Sequence, residues 1–98
     1  MTLSHRELVI NDILKRLKKV NSESVSEVYQ TIISKGKHRN YLTRGKYYSI
    51  ISKLQSKGII KRNDNVISLT DEVSHLTHRD ILTRFITSWP NDIIDGLG

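Results

Sequence analysis

Apolar residues recur three and four apart in four stretches of this chain, the spacing that gathers them on one face of an α-helix. The first stretch is Ile10, Ile13, Leu14, Leu17 and Val20, and the second is Val25, Val28, Tyr29, Ile32 and Ile33. Tyr47, Ile50, Ile51 and Leu54 make the third, and Ile81, Leu82, Phe85, Ile86 and Trp89 the fourth. Cap-forming residues bound each one. Ser4 with Glu7, and Ser24 with Glu27, have capping-box spacing, in which the hydroxyl accepts from the third amide of the helix; Leu3 stands where it staples onto Leu8. Gly36 is a natural stop for the second helix, and Thr43 is an N-cap for a third that runs from about Arg44 to Lys57 and ends at Gly58. Leu42 is placed to staple onto Tyr47. Thr77 and Asp80, with Leu76 against Ile81, start a last helix that runs to Trp89, where Pro90 ends it.

Between the third and fourth helices the period breaks. Ile59-Ile60-Lys61-Arg62, the turn formers Asn63-Asp64-Asn65, and Val66-Ile67-Ser68-Leu69 predict a short β-hairpin over 59–69. The expected fold class is mainly α with a small β-hairpin, in the order helix, helix, helix, hairpin, helix, which is that of a winged helix-turn-helix with a C-terminal dimerisation helix. Ninety-eight residues suit one such domain. Its parts divide as 1–70 for the winged helix-turn-helix, 71–90 for the C-terminal helix and 91–98 for a flexible tail.

Charge adds the functional hint. The formal net charge is +6, but nine Lys or Arg and no Asp or Glu fall between Lys35 and Arg62, leaving seven cations against all ten acids elsewhere. A segregated basic surface displaces condensed counterions from phosphates, so double-stranded DNA is the expected partner. With no cysteine, a disulfide framework and a thiolate metal site are excluded. The start, MTLSHREL, lacks the apolar stretch of a leader, and no run of about eighteen apolar residues occurs, so the chain reads as cytoplasmic with no membrane partner.

On the third helix, Gly45, Ser49, Ser52 and Ser56 point away from the apolar face, bordered by Arg44, Lys46, Tyr48 and Lys53. Small polar residues let a helix approach base edges while flanking cations reach phosphates. Tyr47 and Tyr48 are adjacent and cannot share a face; Tyr47 is expected inside, and Tyr48 either near DNA or half-buried against the second helix. The pattern Gly45-x-x-Tyr48-x-x-Ile51-x-x-Leu54-x-x-x-Gly58-Ile59-Ile60-x-Arg62 resembles the recognition helix and wing of PadR-like winged-helix transcription regulators. It covers about residues 43 to 69, and small archaeal, plasmid or viral winged-helix regulators are similar too. The resemblance implies a homodimer with two recognition helices in successive major grooves and Tyr48 packed near the DNA backbone.

The candidate DNA contacts follow. Lys37, His38 and Arg39 in the exposed connector are expected on phosphates; Thr43, Arg44 and Lys46 lie at the start of the recognition helix, with Arg44 and Lys46 as guanine readers. Tyr48, Ser49, Ser52 and Lys53 line the same helix, and Lys61 and Arg62 sit on the wing. Lys15 to Lys19 are expected to offset the helix dipole rather than to touch DNA. Leu82, Phe85, Ile86 and Trp89 are expected as a dimer seam, the other reading being packing on the first helix. Asp71, His75 and His78 fall short of the four ligands zinc takes, so neither metal nor cofactor is expected. No nucleophile-and-base spacing, paired-carboxylate motif or phosphate-cradling Gly-rich loop is recognisable, so neither catalysis nor a small-molecule ligand is expected. Weakly specific DNA coating and a protein-interaction role are the alternatives to sequence-specific regulation.

Overall fold

A computed structural model describes residues 5–34, 36, 38 and 40–86, the last two by backbone alone. Helix α1 (His5–Val20) is followed by strand β1 (Ser22–Ser24), helices α2 (Val25–Ser34) and α3 (Arg44–Ser56), and strands β2 (Ile60–Asn63) and β3 (Val66–Leu69). Two short helices, α4 (Asp71–Ser74) and α5 (His78–Ile81), lead into a π-helical turn at Leu82–Ile86. The chain is thus mainly helical with one small antiparallel sheet.

The three periodic faces predicted for α1, α2 and α3 meet in one core. Ile10, Ile13, Leu14 and Leu17 of α1, Val25, Val28 and Ile32 of α2, and Tyr47, Ile50, Ile51 and Leu54 of α3 are all buried there. Two predicted caps form as hydroxyl-to-amide bonds, Ser24 Oγ accepting from Glu27 N at 3.1 Å and Thr43 Oγ1 from Lys46 N at 3.2 Å. Thr77 Oγ1 likewise accepts from Asp80 N at 3.1 Å. Gly36 (φ 83°) and Gly58 (φ 77°) both take left-handed conformations that an L side chain disfavours, which is why α2 and α3 stop there. Ser4 and Leu3 lie outside the described residues, and Leu8 is 39% exposed.

The hairpin is part of a larger sheet. Strand order is β1-β3-β2, with Ser22 opposite Ser68 and Ile60 opposite Leu69. Residues 21–24 carry only the signals of a break and a cap, yet Asn21 turns the chain through a left-handed φ of 70° and the next three residues pair with β3. The amide of Val25 then donates to the Asn65 carbonyl at 2.6 Å, which ties the start of α2 to the hairpin turn.

The C-terminal stretch adds one short helix to expectation, α4. The helix expected from Thr77 starts at its predicted cap as α5 and runs on through the π-turn to Ile86, and the rest of its expected span, 87–89, lies outside the described residues. Val73, Ile81 and Leu82 enter the same core as α1 to α3, with α5 packed on α1. Leu82 is only 5% exposed within the single chain, so it is a core residue of its own domain and not the dimer contact that its apolar face suggested. The side chains of Phe85 and Ile86, together with Trp89 and the tail 91–98, lie outside the described residues.

Candidate nucleic-acid interface

Helix α3 is held by its buried face and aimed by what precedes it. Tyr47 donates its hydroxyl to the Val25 carbonyl at 2.6 Å, joining the first turns of α2 and α3, and burial pushes its phenol well above the ordinary tyrosine value. Its ring meets Tyr29 with centroids 5.0 Å apart and the edge of Tyr48 at 5.4 Å. Tyr48 is half-buried against the core.

The outward face carries what the sequence placed on it. Arg44, Gly45, Lys46, Ser49, Ser52 and Ser56 are exposed, and Lys53 is half-buried at the edge. The two candidate guanine readers are docked on aromatic rings at either flank: the Arg44 guanidinium lies 5.0 Å from the Tyr29 ring centre, and Lys46 Nζ lies 4.4 Å from that of Tyr41. Such contacts are worth about 0.5–1 kcal/mol at exposed sites, so either cation leaves its ring at little cost when a better partner arrives. Thr43 spends its hydroxyl on the cap.

His38 is corrected by the structure. Expected on the connector surface as a phosphate contact, its ring is 1% exposed. His38 Nε2 lies 2.7 Å from Asp12 Oδ2 on α1, and Nδ1 lies 3.2 Å from His5 Nε2. A carboxylate only accepts, so His38 Nε2 carries the proton it donates. The His38 carbonyl also accepts from the amides of Leu42 at 2.8 Å and Tyr41 at 3.2 Å, so this residue anchors the approach to α3 from both side chain and backbone. His5 continues the chain of contacts by stacking on Tyr41 at 4.2 Å, the ring that carries Lys46 on its face. Lys37 and Arg39, on either side of His38, lie outside the described residues.

The two wing cations separate. Successive residues of a strand face opposite ways, and Lys61 shares its cross-strand row with Ser68 and Ser22 on the outer face of the sheet. Arg62 shares its row with the buried Ile67 and folds toward the tip, where Nε donates to the Asp64 carbonyl at 2.8 Å. Asp64 holds the turn with a φ of 58°. The structure therefore brings Arg44, Lys46, Ser49, Ser52 and Lys53 together on α3 and places Lys61 on the outer face of the sheet, beside a groove that no α3 residue lines.

Arg6 and Asp12, among the described residues, are buried polar side chains to which the sequence pattern assigns no role. Among the described residues, no three His, Cys, Asp or Glu side chains are placed to hold a metal ion, and no helix is long and apolar enough to cross a membrane. Comparison with known protein families, with curated proteins and with solved structures finds no match to this chain.

Proposed function

We propose that this protein is a winged helix-turn-helix that binds duplex DNA, with α3 in the major groove, α2 bracing it across the backbone and the β2–β3 hairpin as the wing. One observation carries the reading: the outward face of α3 is uncovered, free of acids, and made of small residues between cations. A helix with that face approaches base edges closely, and Arg44 and Lys46 stand at its N-terminal end, where recognition helices contact bases. The pattern from Gly45 to Arg62 resembles that of PadR-like regulators, which supports a homodimeric transcription regulator with half-sites about 34 Å apart.

A second reading, weakly specific coating of DNA, is favoured by the docking of Arg44 and Lys46 on Tyr29 and Tyr41, because cations held at the flanks of α3 are also well placed for phosphates. Selection from a randomised duplex pool separates the two. A regulator enriches a defined motif whose binding persists as salt rises, whereas coating enriches none. Absence of binding at low salt sinks both readings and turns the basic face toward an acidic protein.

A further inference from the structure

The lysines of α1 are ordinary dipole compensation when α1 is taken alone, but the fold gives them company. Exposed Arg79 and partly buried His78 of α5 sit beside Lys15 and Lys18, close enough for the three cations to act on the His78 ring. At the C-terminal end of α1 a groove of about 250 Å3 opens between that helix, the outer face of the sheet and α4. Lys18 and Lys61 stand along it, Asn21, Ser68 and Ser74 add amide and hydroxyl groups, and no carboxylate lines it. Lys18 Nζ donates to the Ser74 carbonyl at 2.6 Å, which holds the ammonium at the groove.

The neighbouring charges leave this surface net positive: against Lys15, Lys18, Lys61 and Arg79, α5 carries one exposed acid, Asp80. Arg16 is committed to Glu23, at 2.8 Å and 2.6 Å, and takes no part. Asp71 and Glu72 lie in the first turn of α4, whereas the groove is lined from its last residue, Ser74. The C-terminal end of α1 contributes about half a negative charge, less than the full positive charges of Lys18 and Lys61. Ammonium groups beside hydroxyl and amide donors are the chemistry that holds phosphate oxygens without reading sequence.

We propose that this α1–α5 face and its groove bind the phosphate backbone of a second nucleic-acid duplex, so that one protomer grips two. The proposal rests on α3 being the first DNA-contacting surface. It follows from the split of the basic stretch: Lys61 turns to the outer face of the sheet with Lys18, while α3 presents its own cations elsewhere.

The test counts duplexes per protomer, because a dimer using α3 alone takes no more than one half-site each. Sedimentation of the whole chain with duplexes of about 10 bp, one helical turn, at low salt should give two per protomer. The triple variant Lys15→Gln/Lys18→Gln/Arg79→Gln changes only exposed side chains and should fall to one, with the affinity of the remaining duplex unchanged. Burial, then Lys15, Arg79 and Lys18, hold the His78 imidazole below its ordinary value, so its proton titration followed by NMR should move upward when the second duplex binds. One duplex per wild-type protomer overturns the second face and leaves the α3 reading standing; none overturns both. Two duplexes on the triple variant, or an unmoved His78 titration with two bound, also overturns the proposal.

Discussion

Replacing His38 by alanine distinguishes an anchor from a phosphate contact. As an anchor, the ring is buried, bonded to Asp12 at 2.7 Å and to His5 at 3.2 Å. Removing it deletes a hydrogen bond to a charged group, worth about 1.5–3 kcal/mol, and leaves a buried carboxylate without that donor in a newly opened space. A total near 3 kcal/mol is a large part of the ~5–15 kcal/mol that holds a domain together. In urea denaturation followed by circular dichroism, with a slope of about 1–3 kcal/mol per M, the midpoint should fall by about 1–3 M. Asp12→Asn should shift it the same way, and the double variant should cost less than the two singles added, because both break one contact. DNA affinity should fall through loss of order before Thr43, with the salt dependence intact. An unchanged midpoint together with a salt slope shallower by up to about 0.9 refutes the anchor and restores the phosphate contact.

Three further outcomes follow from particular contacts. Arg44→Ala should flatten base preference at one position by about 1–3 kcal/mol in a competition assay on single-base variants of the selected site; equal discrimination removes Arg44 from the readout. Leu82→Ala should lower stability by about 2–5 kcal/mol and leave the oligomeric state unchanged in sedimentation, the opposite of what a seam residue does. The Arg16 hydrogen bonds hold the Glu23 carboxyl below the ordinary value, so this pair stabilises the fold above the unfolded glutamate value of about 4.3 and is lost as pH falls through the lower folded value. Arg16→Ala should remove that component of acid sensitivity; an identical acid limb in the variant contradicts it.

The fold was legible wherever one period was long enough to repeat. Tyr47 inside and Ser49 and Ser52 outside follow from the 3.6-residue turn, and Thr43 and Gly58 mark the ends of α3 by local chemistry. Strand β1 was not legible, since Ser22-Glu23-Ser24 carries no apolar alternation and becomes a strand only by pairing with residues more than forty positions away. His38 was misjudged for a related reason: a histidine between basic residues looks solvated, and its partner Asp12 is 26 positions distant on another helix. Leu82 shows the limit of an apolar face, which states that something covers it and not what does. The separation of Lys61 from Arg62 was within reach, because strand alternation alone sends adjacent residues to opposite faces.

The most direct test of the central claim is fluorescence anisotropy of a labelled duplex, in a salt series, with the wild-type chain and with Ser49→Glu/Ser52→Glu. Both serines are exposed on the outward face of α3, so the fold has no reason to change. If that face enters the groove, each carboxylate is brought against phosphates at a cost of at least about 1.5 kcal/mol, and binding weakens by at least about 100-fold while the wild type shows a steep salt dependence. A double variant that binds as tightly as the wild type contradicts the placement of α3 in DNA.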